Sequence, residues 1–254
     1  MLKIIISPAK KMNVLEEFPC PLTIPVLSER MEYLYELLKS KDINSLKTLW
    51  KCSDKLAEQN FNRLRTYAPN KNLTPSLLAY EGIQYQHIAP RVFTDSQWAY
   101  ALSHLRILSG MYGVLSPSDG VIPYRLEMQA KLKTESADDL YGYWKDTLYQ
   151  QIAADGTDEI INLASAEYSK AILPYIESEI KCVTCIFGEL ITDKRGTEKL
   201  KVKGTHAKIA RGEMVRWMSN QQVEHTEDIK KFKEMGYQFR EELSNEKEYV
   251  FTVC

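Results

Sequence analysis

Residues 106–128 read RILSGMYGVLSPSDGVIPYRLEM and gather groups able to do chemistry. A helical pattern stops at Gly110, and Gly113 follows three residues later. Glycines at such a break let backbone N–H groups approach a ligand closely, and phosphate is the usual ligand. Tyr124, Arg125 and Glu127 add a stacking surface, a forked cation and a carboxylate. The planar fork of Arg125 suits phosphate, or it pairs with Asp119 or Glu127 to fix the loop. Arg106, one turn upstream, offers a second cation. The plainer alternative makes Gly110 a helix C-cap and Gly113 a turn.

A second set of groups stands at strand ends. Ser7 and Lys10 follow the apolar run 2–6, and Asn162 and Ser165 stand at the end of the run 159–164. Sheet proteins often place ligand contacts there. If the two strands are neighbours, these groups converge with Arg125 in one cleft. Lys208 and Arg211 add charge from a late helix. They belong to the segment 194–216, which carries eight Lys or Arg against two acids, a net +6. Such a stretch in a chain of net charge −1 points to a local anion-binding surface, or to lysines guarding an edge strand. No Gly-x-Ser-x-Gly, P-loop or Ser–His spacing is legible. Lys10, Asp119, Tyr124, Arg125, Glu127, Asn162 and Ser165 nonetheless resemble an active-site set more than a passive groove. DNA binding through phosphates and an enzyme acting on a nucleotide or nucleic acid both stay open.

The elements that must position these groups follow from hydrophobic period. Strands are predicted at 2–6, 159–164 and 249–253, with a hairpin of 180–191 and 199–202 around Asp193-Lys194-Arg195-Gly196. Helices are predicted at 28–39, 43–50, 53–67, 95–109, 138–153, 167–173, 208–220 and 228–236. Thr94 and Gln97 fit a capping box for the helix at 95. Strands and helices mix without a regular β-α-β alternation, so the expected class is α+β, a mixed sheet surrounded by helices. One domain over 1–254 is expected.

No stretch approaches the ~20 apolar residues of a membrane span, so a cytoplasmic protein without membrane contact is expected. Five scattered cysteines fit a reducing compartment. Cys182 and Cys185 fall on a predicted strand, where i and i+3 point to opposite faces, and the histidines are scattered. No metal site and no cofactor are expected.

Together these segments resemble the YaaA peroxide-stress-response family. The resemblance rests on Ile6-Ser7-Pro8-Ala9-Lys10, on Leu108 to Leu115 with Pro117, Asp119 and Pro123 to Met128, on Asn162-Leu163-Ala164-Ser165 with Glu167-Tyr168, and on Ala210-Arg211-Gly212 with Met214. It covers essentially the whole chain. It implies a cytosolic protein that limits peroxide damage to DNA, associated with lower free intracellular iron. It also implies DNA binding and a helix-hairpin-helix-like element; that the binding is independent of base sequence is expected from the +6 segment and the Gly110/Gly113 break. Gly110 and Gly113 would form that hairpin, in abbreviated form, because Ser116 to Gly120 leaves barely one helical turn. The chain departs from the family at Glu81-Gly82-Ile83-Gln84-Tyr85, where Lys-Gly-Asp-Val-Tyr is common, and at Val253, where an arginine is common.

Overall fold

The computed structural model describes residues 1–66, 71–192 and 196–253. β1 (Leu2–Ile6) is buried at every position, as its unbroken apolar run requires of a strand covered on both faces. The short strand β2 (Lys11–Met12) follows, then α1 (Ser28–Lys39), α2 (Ile43–Trp50) and α3 (Asp54–Arg65). Asp42 caps α2, its carboxylate accepting from the N–H groups of Asn44 and Ser45 at 2.9 and 3.0 Å. Next come β3 (Thr74–Pro75), α4 (Ser76–Ala79), β4 (Tyr80–Glu81) and α5 (Ile83–Ile88), with β4 antiparallel to β2. α6 (Asp95–His104) opens with the predicted Thr94/Gln97 capping box.

The expected helix 95–109 ends at His104. Residues 105–109 form β5 (Leu105–Ser109), which pairs parallel to β1 with Ile4 opposite Leu105 and Ile6 opposite Ile107. His104 Nδ1 lies 2.9 Å from the Leu2 carbonyl oxygen, fixing the changeover. Leu105 and Leu108 keep a helical spacing, but both are buried in the sheet. Long-range pairing overrides local period here. The chain turns through residues 110–112 and returns antiparallel as β6 (Gly113–Leu115), with Ser109 opposite Gly113. Gly110 is therefore not a helix C-cap. Gly110 and Gly113 sit in a β-hairpin rather than a helix-hairpin-helix. β7 (Gly120–Val121) pairs with β3.

The expected helix 138–153 is broken into α7 (Leu140–Trp144) and α8 (Thr147–Ala153) by Lys145, whose φ is 47°. β8 (Glu159–Leu163) leads into α9 (Ala166–Ser169), which is shorter than the predicted 167–173. β9 (Lys181–Thr192) and β10 (Glu198–Lys201) form the predicted antiparallel pair. Asp193, Lys194 and Arg195 of its turn lie outside the described residues. α10 (Gly204–Gln221) is longer than predicted, and the region 228–236 forms two 3-10 turns, Thr226–Lys231 and Glu234–Gly236. β11 (Tyr237–Phe239) and β12 (Glu248–Val253) complete the order.

The sheet is mixed and eight-stranded, in the order β11-β12-β9-β8-β1-β5-β6, with β10 joined to β9. β12, β9, β8, β1 and β5 are mutually parallel, and β6, β10 and β11 are antiparallel to their neighbours. With the helices packed about it this is the expected α+β class. α10 packs on α5, α6 and β9. The approach to α5 is closest at Gly212, where a Cβ would sit 2.3 Å from the Gln84 carbonyl oxygen.

One feature of the topology bears on function. From β1 the chain next enters the sheet at β5, on one side. From β8 it moves to β9, on the other. β1 and β8 are neighbours, so their carboxyl ends form a switch point, and open α/β sheets bind ligands in such crevices. Among the described residues no helix is long and apolar enough to cross a membrane.

Candidate functional site

Ser7 and Ser165 stand just past the switch point, where Ile6 pairs with Leu163. Ser7 Oγ accepts the Ser165 N–H at 2.8 Å and donates to Ser165 Oγ at 3.2 Å. The Tyr85 hydroxyl donates to the Ser7 carbonyl oxygen at 2.9 Å. These bonds tie the two strand ends to α5 and form one wall of a cleft of about 510 Å³.

The opposite wall is the segment from Tyr124 to Glu127. Gly110 sets its position, since a Cβ there would sit 2.6 Å from the Leu126 carbonyl oxygen. The Tyr124 hydroxyl bonds Ser109 Oγ at 2.6 Å and the Tyr80 hydroxyl at 2.7 Å, and burial pushes its pKa up to about 12. Lys10 Nζ lies 2.8 Å from Glu127 Oε2. Arg125 reaches Glu127 Oε1 only at 3.4 Å and the Trp50 carbonyl oxygen only at 3.5 Å. Of the alternatives for Arg125, the structure shows the carboxylate partner to be Glu127 and not Asp119. α10 brings Lys208 and Arg211 to the same cleft.

The hydrogen-bond inventory of the cleft is incomplete on the protein's side. Arg125 Nε, Arg211 Nε and Gln84 Nε2 are buried without a partner, and all three residues line the cleft. Buried donors are normally satisfied, and here three donors without a protein acceptor surround one space. Among the described residues Arg211 forms no ion pair, and its burial disfavours the charged guanidinium. Glu167 also lines the cleft. It accepts the Gln129 N–H at 3.1 Å, and burial holds its carboxyl above the usual range. The arrangement can hold an anion with several acceptor oxygens.

A family model described as peroxide stress protein YaaA matches residues 2–243. The chain belongs to that family. A UPF0246 protein of Agathobacter rectalis is 50% identical over 250 residues, covering 98% of both chains. UPF0246 proteins of Desulfitobacterium hafniense and Pediococcus pentosaceus are 48% and 46% identical, each alignment covering 98% of this chain and 97% of the relative. Membership in the YaaA family supports a role in peroxide stress.

Of the residues singled out from sequence, the structure brings Ser7, Lys10, Tyr124, Arg125, Glu127, Ser165, Lys208 and Arg211 to the cleft. Five others are elsewhere. Arg106 donates to the Leu102 and Leu105 carbonyls at 3.1 and 2.8 Å and pairs with Asp155 at 2.6 Å. Gly113 serves the hairpin turn with φ +77°. Gly110 packs against Leu126 and its carbonyl oxygen accepts the Trp144 indole N–H at 3.1 Å, while the Met111 and Tyr112 N–H groups donate to Ser109 Oγ. Asp119 is buried, accepting from Thr23 Oγ1 at 2.7 Å and the Ser116 N–H at 2.8 Å, and joins the loops around β7. Asn162 braces the strand end, accepting the Ala164 N–H and donating to Thr184 Oγ1, both at 3.0 Å.

Sequence reasoning missed the roles of Gln84 and Glu167. Glu167 stands two residues past Ser165, which was a usable signal. Gln84 stands within the departing segment 81–85, whose Glu81 pairs with Lys11 at 2.7 Å. Cys182 and Cys185 lie on β9 as expected, with burial raising both thiols, Cys182 to about 12. No group of three or more His, Cys, Asp or Glu stands together among the described residues.

Proposed function

We propose that this chain acts in peroxide stress, in the cytosol, by binding DNA through its phosphates at the β1–β8 crevice without reading base sequence. Binding limits oxidative damage to the DNA, and lower free intracellular iron accompanies it. One observation carries this reading: Arg211 is a largely buried guanidinium that lines the cleft with no carboxylate partner among the described residues. A buried charge without a partner is costly, and a bound phosphate removes that cost. Lys10 and Lys208 at the mouth supply further phosphate contacts.

Titration of DNA at several salt concentrations tests it. Arg211, Lys10 and Lys208 engaging phosphates of a single strand give a log–log slope of about −2, and a flat response overturns the reading. Free iron measured in cells carrying Arg211→Gln tests the link to iron. Iron restored to its stress level is expected, and unchanged control of iron would separate it from the cleft.

A second reading makes the cleft an active site for a nucleotide or nucleic acid. The observation favouring it is the pair Glu127 and Glu167, two carboxyl groups in one cleft with unlike surroundings, the usual basis for separate base and acid roles. Incubation with nucleotides and single strands, followed by product analysis, decides it. Formation of product that depends on both carboxyl groups would establish the enzyme.

A further inference from the structure

The cleft has a rim and a floor, and they differ in what they can reach. Lys10 on the rim is 64% exposed, and Lys208 is exposed as well. On the floor the Arg125 side chain is 11% exposed and Gln84 is 7% exposed. A duplex presents its phosphates on a convex surface, which meets the exposed rim lysines more readily than the floor. A terminal phosphate projects beyond the last sugar and is not confined to that surface.

Donor number and charge agree. The three orphan donors are Arg125 Nε, Arg211 Nε and Gln84 Nε2. A phosphomonoester offers three terminal oxygens and carries a charge of about −1.5 to −2 at neutral pH, whereas a diester offers two and carries one charge. In the cleft Lys11 is taken by Glu81, and Glu127 serves both Lys10 and Arg125. Lys208 and Arg211 form no ion pair among the described residues, and two open positive charges match a monoester better than a diester.

We infer that the floor of the crevice, formed by Gln84, Arg125 and Arg211, is a subsite for a phosphomonoester, the terminal phosphate of a DNA strand or of a free nucleotide. The assignment rests on the phosphate-binding reading above and gives it a direction: strand ends are preferred over continuous duplex. Radical attack on deoxyribose breaks strands and leaves phosphate at the new ends, so such ends accumulate under peroxide.

The test measures fluorescence anisotropy with short single strands of one sequence, ending in 5′-phosphate, 3′-phosphate or hydroxyl only, with AMP and adenosine as competitors. A phosphate-ended strand should bind at least about tenfold tighter than its hydroxyl-ended twin. Arg211→Gln should erase that preference, so that the variant binds phosphate-ended and hydroxyl-ended strands alike. Gln84→Leu, which removes an orphan amide without touching a charge, should reduce the preference in a fold that melts like the parent. Equal affinity for phosphate and hydroxyl ends, or a preference that survives Arg211→Gln, overturns the subsite and leaves DNA binding standing. Binding of AMP over adenosine without binding of any strand supports the subsite, assigns it to free nucleotide and ends the DNA reading. Failure of all probes overturns both.

Discussion

The two ends of the parallel strands both bury positive charge, and they treat it differently. At the amino ends, Lys3 is 2% exposed and its Nζ meets Asp155 at 2.8 Å and the Ser103 carbonyl oxygen at 2.7 Å. Arg106 joins the same Asp155 and two backbone carbonyls. No donor of that cluster is left buried without a partner. At the carboxyl ends, Arg125 has only long contacts to protein acceptors, Arg211 has no ion pair among the described residues, and both keep an orphan Nε. The amino-end cluster is satisfied by the protein's own acceptors, and the carboxyl-end cluster is not. Buried cations therefore do not mark a site by themselves. What marks it is the unfilled part of their hydrogen-bond inventory.

The contrast can be broken most forcefully through the backbone that holds the carboxyl-end cluster. Gly212→Ala places a Cβ against the Gln84 carbonyl oxygen and the His87 side chain and forces α10 off α5. The expected cost is about 3 kcal/mol, the upper end for overpacking, with anion binding lost because Arg211 and Gln84 separate. Thermal melting and anisotropy on one sample check this, and an unchanged melt would show that the helices slide freely.

Asp155→Ala attacks the other end. It strands buried Lys3, but Asp155 is 41% exposed, so the usual cost of breaking a buried pair is discounted to about 2 kcal/mol. The melting temperature should fall by roughly 4–8 °C, with DNA affinity per folded molecule unchanged. Loss of affinity here would mean the two ends are coupled.

Arg125→Gln should cost about 1 kcal/mol of stability, because Glu127 keeps Lys10 at 2.8 Å, while weakening anion binding. A loss of several kcal/mol in urea unfolding would make Arg125 a structural cation like Arg106.

Glu167→Gln should change least. Burial raises the native carboxyl above its unfolded value, so its charged form opposes folding once pH rises past the ordinary carboxylate range. The amide can still accept from Gln129. The variant should match the parent at low pH and exceed it by less than about 1 kcal/mol at neutral pH. Urea unfolding across pH checks the sign, and a parent more stable than the variant at neutral pH would refute it.

Much of this contrast was legible in the sequence, though unevenly. Ser7, Lys10 and Ser165 could be placed because β1 and β8 announce themselves as apolar runs and ligand contacts gather at such ends. Arg125, Lys208 and Arg211 were visible as charge in unusual company. From sequence Leu105 to Ser109 reads as helix, because its leucines continue the period of α6, and only pairing with β1 decides otherwise. That error carried Gly110, Gly113 and Arg106 into the proposed site. Asp119 and Asn162 looked chemical for another reason: short polar side chains that brace loops have the same composition as side chains that bind. Gln84 was invisible because its place in the cleft depends on Gly212, 128 positions away, allowing α5 and α10 to touch.

The central claim is that Arg211 is held in readiness for an anion and contributes nothing to the fold. Arg211→Gln, measured for melting and for binding of a phosphate-ended strand in the same preparation, tests it most directly. The melting temperature should stay level or rise, since an unpaired buried charge is removed, while affinity falls by about tenfold to a hundredfold. A lowered melting temperature with affinity retained would contradict the claim and return Arg211 to the structural cations.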